Sequence, residues 1–248
     1  AQEVSKLLNG GFFNGPKPQR LMQRLLTLAN LKSDSVVLDF FSGSASTAHA
    51  VMNKNAEDGG QRKFIMVQLP ELCDKKSEAY KAGYKNICEI GKERIRRAGD
   101  KIKSESPITT QDLDVGFRVL KLDDSNMKDV YYAPDDYNQN ILDFLESNIK
   151  EGRTDLDLLF GCLLEWGLLL SLPYHSEQIE GCTVHNYNDG DLIACFDENI
   201  PENVIKSIAK MQPLRVVFRD SSFANSPAKI NVTEIFKRLA LDTFVKVL

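Results

Sequence analysis

Residues 36–50 read VVLDFFSGSASTAHA, and this stretch decides the fold. The short apolar run at 36–38 predicts a strand buried on both faces, as in a parallel sheet. A tight, glycine-bearing loop follows, and residues 46–53 predict a helix. After a turn, residues 63–69 predict the next strand. This alternation of strands and helices predicts an α/β protein with a parallel, doubly wound sheet.

The loop after the first strand has the composition of a ligand site. At the carboxyl edge of a parallel sheet it points into the ligand crevice, and Gly43 permits a positive φ. N–H groups at the helix start, with Ser46 and Thr47 as local caps, can bind a carboxylate, while Asp39 can accept from an ammonium. These charges favour the methionine end of S-adenosylmethionine over the diphosphate of NAD. The spacing alone fits an ordinary strand-to-helix turn equally well.

The wider sequence carries a family resemblance. The string at 37–50 closely resembles the cofactor motif D-x-F-x-G-S-G-T-T of amino-methylating DNA methyltransferases, and is most similar to that of the modification (Mod) subunits of type III restriction–modification systems. Residues 64–71, FIMVQLPE, resemble the string that follows it there, and PKP at 16–18 resembles the motif that precedes it in this circularly permuted class. Further similar strings are IGKERIRRA at 90–98, LEWG at 164–167, NDGDL at 188–192 and VFRDS at 217–221.

The resemblance implies an architecture and an activity. Residues 1–105 would form part of a Rossmann-like, S-adenosylmethionine-dependent methyltransferase core, and residues 106–248 a second, smaller α/β domain for assembly or dimerisation. The full-length form would transfer a methyl group from S-adenosylmethionine to adenine N6 in DNA. It would form a homodimer, pair with the Res restriction subunit and act in the cytoplasm.

Site residues carry over position by position. The loop would contact the methionine end of the cofactor, and two residues of the PKP string would flank it. Gln68 stands where the family has a ribose-binding acidic residue, and its amide both donates and accepts, with Glu71 as the nearby carboxylate alternative. The implied cofactor-binding residues are Lys17, Pro18, Asp39, Phe40, Phe41, Ser42, Gly43, Ser44, Thr47 and Gln68.

Two departures from the family pattern bear on function. Ala45 replaces the second loop glycine; at a positive φ it would cost about 1 kcal/mol, and its methyl could crowd the cofactor. The catalytic [DNS]-P-P-[YFW] motif and the target-recognition domain, which precede the loop in this class, are missing from residues 1–35. SLPY at 171–174 instead fits a loop that ends a helix, and APDDY at 133–137 a turn.

No catalytic residue is therefore assigned. The chain is expected to be the C-terminal part of a methyltransferase subunit, inactive alone, with further sequence upstream of Ala1. The alternative is a non-catalytic assembly module whose Ala45 loop no longer binds cofactor. A nicotinamide oxidoreductase is disfavoured because the sequence contains no G-x-G-x-x-G.

Charge and cysteine content set further bounds. Residues 1–105 carry 18 Lys and Arg against 12 Asp and Glu, whereas residues 106–248 carry 13 against 23. Only the first part is suited to lie near nucleic acid, and its Arg94, Arg96 and Arg97 predict a solvated helix face or a contact for phosphates or a partner's acid. Five cysteines without C-x-x-C spacing predict reduced thiols in a cytoplasmic protein, and three scattered histidines predict no metal site.

Overall fold

The computed structural model describes residues 2–128, 148–223 and 226–248, which contain both helices and sheets. The contacts divide the chain into two compact units, a first unit up to Val119 and a second unit from Leu120. The first unit contains α1 (Gln2–Leu8), α2 (Gln19–Leu28), β1 (Val36–Phe40), α3 (Ser46–Asp58), β2 (Lys63–Val67), α4 (Glu78–Lys81) and α5 (Ile87–Glu105). The second contains α6 (Asp155–Glu165), β3 (Tyr174–Ile179), β4 (Cys182–Tyr187), β5 (Leu192–Cys195), α7 (Glu202–Lys210), β6 (Arg215–Phe218), α8 (Ser226–Leu239) and β7 (Phe244–Val247). The prediction of a mixed α/β protein is confirmed.

The first unit is built on a β–α–β connection. Strands β1 and β2 pair in parallel, with Val36 opposite Lys63 and Phe40 opposite Val67. Helix α3 joins them and covers one face of the pair, where Val37 packs against a small core that includes Val51 of this helix. The carboxyl ends of both strands therefore meet at one edge, beside the N-terminus of α3.

The opposite face of this sheet carries apolar side chains that the described residues leave uncovered. Their exposed fractions run from 41% to 64%, and they belong to Val36, Leu38, Phe40, Ile65 and Val67. The prediction that β1 is buried on both faces is therefore wrong within the part of the chain that the structure describes. The alternate residues are apolar, as in a parallel strand buried on both faces, but within the described ranges only one side has a helix packed on it.

Helix α2 likewise has both buried and exposed apolar side chains. In the sequence, leucines at positions 21, 25, 26 and 28 near one face predict an amphipathic helix over residues 15–30. The observed helix begins after Pro18, and Leu26 packs in the core, whereas Leu21, Leu25 and Leu28 are 46%, 48% and 68% exposed. Asn30, with φ 49°, follows the C-cap in the left-handed conformation that commonly ends a helix.

The segment after α5 is irregular. The alternating hydrophobicity of residues 114–122 predicts a strand. These residues take part in no sheet, so that prediction is wrong. Instead Val115 and Phe117 pack beside Ile95 and Ala98 of α5. These partly buried apolar side chains pack against a helix and take part in no strand pairing, and the residues up to Val119 belong to the first unit. The predicted boundary after residue 105 lies before it.

The second unit has a five-stranded mixed sheet in the order β3-β4-β5-β6-β7. Strands β3 to β5 pair antiparallel, and β5 to β7 pair in parallel. The turn signal NDG at 188–190, between the stretches 183–187 and 191–196, predicts a hairpin. The structure confirms it, with Asn188 and Asp189 at φ 46° and 58°. These are left-handed positions that asparagine and aspartate tolerate better than most residues.

Helices cover both faces of this sheet. On one face Leu159 and Leu163 of α6 pack with Phe196. On the other face Ile208 of α7 and Phe236 of α8 pack with side chains of the inner strands. The second unit therefore has three layers, helix–sheet–helix. No helix in the described ranges is long and apolar enough to cross a membrane.

Candidate cofactor site

The loop between β1 and α3 has a strained backbone. Phe41, Gly43 and Ala45 have φ of 63°, 54° and 57°, so every second residue is left-handed. Two backbone hydrogen bonds fix this shape: Ala45 N–H donates to Ser42 O at 2.8 Å, and Ser42 N–H donates to Val67 O at 3.1 Å. A phenylalanine in this region costs on the order of 1–3 kcal/mol, and such strain concentrates at ligand sites.

Asp39 lies near the end of β1, and one of its two carboxylate oxygens is hydrogen-bonded. Its Oδ2 accepts from Thr47 Oγ1 at 2.5 Å, which ties the strand to the first turn of α3. Among the described residues no donor reaches Oδ1. Asp39 can therefore present one carboxylate oxygen to a cationic group, as the sequence motif implies.

Gln68 closes the loop from the end of β2. Its Oε1 accepts from Gly43 N–H at 2.7 Å, and its Nε2 donates to Leu69 O at 3.2 Å. The side chain predicted to bind ribose is thus already used to hold the loop. Its contact with a cofactor stays a prediction.

The PKP string lies beside the same loop. Ser46 Oγ donates to Lys17 O at 3.1 Å, which joins this segment to the first turn of α3. Lys17 and Pro18 are exposed and contribute to a cavity of about 350 Å³ that is also lined by Gln2, Glu3, Val4 and Arg20. The structure therefore brings Lys17, the 39–47 loop and Gln68 together at the carboxyl ends of the two parallel strands.

Arg94, on α5, lies beside this loop, a position that its basic cluster with Arg96 and Arg97 did not predict. It is 1% exposed, and its Nη1 donates to Ser44 O, Ser44 Oγ and Ser46 Oγ at 3.2, 2.9 and 2.6 Å. Burial lowers the pKa of its guanidinium to about 10, while the negative charge of Glu3 acts in the opposite direction. Arg94 lies four residues from both Ile90 and Ala98 on the buried face of the helix. That spacing, which places position 94 on the same face as two apolar residues, was the signal in the sequence that Arg94 is buried.

The three arginines at positions 94, 96 and 97 therefore lie in different environments. Arg97 pairs with Glu93 at 2.7 Å, and Arg96, whose side chain is 55% exposed, lies over the ring of Phe117. Only these two positions fit the prediction of a solvated face. For Arg94 that prediction is wrong, because its guanidinium is buried under the 39–47 loop.

Helix α5 approaches the loop closely where it has no side chain. A Cβ at Gly91 would lie 3.2 Å from Gly43 O and 3.7 Å from Ala45 Cβ. Ala45 has the positive φ that was foreseen as a cost, but its methyl is 2% exposed and packs with Met52 and Ile95. The methyl thus fills the core between α3 and α5.

His49 follows the loop on α3 and is packed rather than reactive. Its Nδ1 is buried and has no hydrogen-bond partner among the described residues. Burial, followed by the positive charges of Arg94 and Lys101, lowers its pKa from 6.5 to about 4. His49 is therefore neutral at neutral pH.

A group of possible metal ligands lies in the second unit, where the sequence predicted none. One ligand atom each from Cys182, Cys195 and Asp197 lies within 4.8 Å of the others. Asp197 Oδ2 already accepts from Thr183 N–H at 2.5 Å, and burial raises the pKa of the Cys195 thiol to about 12. Structural zinc sites take four ligands, and this group offers three. All five cysteines are free thiols.

The rejected substitutes for the catalytic motif do not join the site. SLPY at 171–174 belongs to the second unit, where Leu172 N–H donates to Tyr187 Oη at 3.1 Å and Tyr174 begins β3. APDDY at 133–137 lies outside the described residues. The catalytic position therefore remains without an assigned residue.

The β1–α3–β2 connection carries the 39–47 loop at the carboxyl edge of a parallel sheet, where α/β proteins commonly bind ligands, and residues 2–98 match the family model described as DNA methylase. The StyLTI Mod subunit of Salmonella typhimurium, a type III restriction–modification enzyme, is 45% identical over 117 residues, 47% of this chain and 18% of that protein. The EcoPI Mod subunit of Escherichia phage P1 is 33% identical over 231 residues, 90% of this chain and 34% of the relative. The EcoP15I Mod subunit of Escherichia coli is 30% identical over 238 residues, which are 92% of this chain and 34% of that protein.

These similarities confirm the resemblance to type III Mod subunits that the motifs indicated. It covers nine-tenths of this chain in the second and third comparisons. The chain spans about a third of the length of those two relatives.

Proposed function

We propose that this chain is the cofactor-binding, C-terminal portion of a type III Mod subunit. The full-length protein transfers a methyl group from S-adenosylmethionine to adenine N6 in DNA. The observation that carries the proposal is the convergence of Lys17, the 39–47 loop and Gln68 at one sheet edge, through three hydrogen bonds of 2.5–3.1 Å together with the loop's own backbone bonds. The similarity to Mod subunits supplies the chemistry.

The charges at this edge complement the amino-acid end of the cofactor. The open Oδ1 of Asp39 suits an ammonium, and the first turn of α3, with Arg94 beneath it, suits a carboxylate. When bound, S-adenosylmethionine supplies an electrophilic methyl group. The residues of this chain bind and orient that donor.

Turnover requires groups that this sequence does not contain. Methylation of adenine N6 needs acceptors for the amino group and an aromatic ring that stacks on the flipped base. The [DNS]-P-P-[YFW] motif that provides them in this family is absent from the 248 residues. We therefore propose that the chain binds cofactor but is inactive alone.

The uncovered sheet face supports a core completed by further polypeptide. Parallel sheets are covered by helices on both faces, and β1 and β2 have a helix on one face only within the described residues. In the proposal, the full-length protein extends this pair into a Rossmann-like sheet and covers its second face.

Partners are part of the same proposal. The excess of basic residues in 1–105 favours a position near DNA, and the excess of acidic residues in 106–248 favours an assembly role for the second domain. The proposed assembly is a cytoplasmic homodimer that pairs with the Res restriction subunit.

Calorimetry with S-adenosylmethionine tests the cofactor assignment. We expect the 248-residue chain and the full-length protein both to bind, and Asp39→Ala to weaken binding at least tenfold. Asp34→Ala, at an exposed position ahead of β1, is the matched control and should bind as the parent does. Transfer of labelled methyl groups to adenine in DNA should require the full-length protein. If neither form bound the cofactor, the assembly-module alternative would be favoured.

A further inference from the structure

The buried charge of Arg94 lacks an acidic hydrogen-bonding partner. Its Nη1 is held by three neutral oxygens of Ser44 and Ser46, and its buried Nε has no hydrogen-bond partner among the residues that the structure describes. No carboxylate in the described part of the chain forms an ion pair with it. A buried cation is costly unless it is paired. Burial lowers the pKa of the Arg94 guanidinium to about 10 despite the negative charge of Glu3, so these neighbours do not fully offset the cost of burying the charge.

Arg94 is instead the point where three segments of the site are connected. It donates to Ser46 Oγ, and Ser46 Oγ donates in turn to Lys17 O at 3.1 Å. One guanidinium thus joins α5, the loop and the PKP string. Gly91, one turn earlier on α5, allows the close approach that this contact requires.

The position of the charge also has an electrostatic consequence. The N-terminus of α3, at Ser46, carries a partial positive charge from its unpaired N–H groups. The guanidinium adds a full positive charge to the same place. Two like charges at a desolvated site favour an anion between or beside them. A carboxylate-bearing ligand is therefore preferred over a neutral one.

We propose that Arg94 is a positioning residue for the cofactor loop. It fixes Ser44 and Ser46 and, through Ser46, the Lys17 segment. It also makes the site selective for ligands that carry a carboxylate. The selectivity rests on the proposed function, whereas the effect on loop position does not.

Binding of two related ligands tests the selectivity. S-adenosylhomocysteine has the amino-acid end, and 5′-methylthioadenosine is a similar thioether without it. We expect Arg94→Met to weaken the binding of S-adenosylhomocysteine at least 100-fold and the binding of methylthioadenosine less than threefold. Arg94→Lys, which retains the charge, should bind S-adenosylhomocysteine at least tenfold more tightly than Arg94→Met does. Arg96→Met, on the same helix, should stay within twofold of the parent. Equal weakening of both ligands by Arg94→Met would overturn the selectivity.

Hydrogen exchange without ligand tests the loop position. In Arg94→Met the amides of residues 42–47 should exchange at least tenfold faster than in the parent, while those of β4 and β5 keep their rates. If Arg94→Met fails to fold, Arg94→Lys and Ser46→Ala are measured instead, and Ser46→Ala should speed exchange around Lys17. Unchanged rates in the folded variants would overturn the positioning role. If the parent bound no S-adenosylhomocysteine, the cofactor assignment would fail while the exchange data still decided this role.

Discussion

At the scale of single residues, Ala45 balances two opposing effects. Its left-handed backbone costs about 1 kcal/mol relative to glycine, and its buried methyl returns about 0.8 kcal/mol. We therefore expect Ala45→Gly to change the free energy of unfolding, measured by urea denaturation, by less than about 0.5 kcal/mol. Ala48→Gly, fully buried inside α3, is the control and should cost about 1–2 kcal/mol. Equal losses would mean that Ala45 is unstrained.

Gly91 controls how closely α5 approaches the loop. In Gly91→Ala the new methyl would lie 3.2 Å from Gly43 O, so the loop must shift. We expect weaker binding of S-adenosylmethionine, by about tenfold or 1.4 kcal/mol, in calorimetry. Gly99→Ala, also on α5, would meet Val115 at 2.8 Å and should leave cofactor binding unchanged. Equal affinity in both variants would show that the approach at Gly91 is unimportant.

His49 makes stability depend on pH in a defined window. Its pKa is about 4 in the folded chain against 6.5 ordinarily, so between these values the unfolded chain binds a proton that the folded chain does not. Stability is full above about pH 6.5 and falls by about 2 kcal/mol on going down to about pH 5. His49→Gln should remove this slope, measured by urea denaturation across the window, whereas His175→Gln, at an exposed position on β3, should retain it. If the slope persisted in His49→Gln, other titrating groups would be its cause.

At the scale of elements, the sequence predicts what each segment is more reliably than what covers it. The β1–α3–β2 order and the 188–190 hairpin follow from local patterns that the structure keeps. The alternation at 114–122 misled, because apolar side chains spaced for a strand also suit an irregular stretch on a helix. The burial of Arg94 was not predicted, because a basic side chain on a helix is usually solvated and this burial depends on a loop fifty residues away. Such tertiary contacts are not encoded in local spacing.

The uncovered face of the β1–β2 sheet gives a prediction that depends on polypeptide length. Leu38 is 52% exposed, so in the 248-residue chain Leu38→Thr should cost less than about 0.5 kcal/mol of unfolding free energy and reduce binding of an apolar dye. In the full-length protein, where we propose that this face is covered, it should cost about 2–3 kcal/mol. Val37→Thr, facing α3, is the control and should cost about 1–2 kcal/mol in both forms. Equal costs for Leu38→Thr in both forms would contradict the covered face.

At the scale of the whole molecule, the two units have separate cores and different proposed tasks. The candidate cofactor site is built from the first unit alone, so stabilisation by ligand should be confined to it. S-adenosylmethionine at 100 times its Kd should protect α3, α5 and the loop against global opening by about 2.7 kcal/mol, measured by hydrogen exchange. The β4 and β5 amides serve as the internal control. Protection spread equally over both units would mean that they unfold as one cooperative body, and protection of the second unit alone would relocate the site.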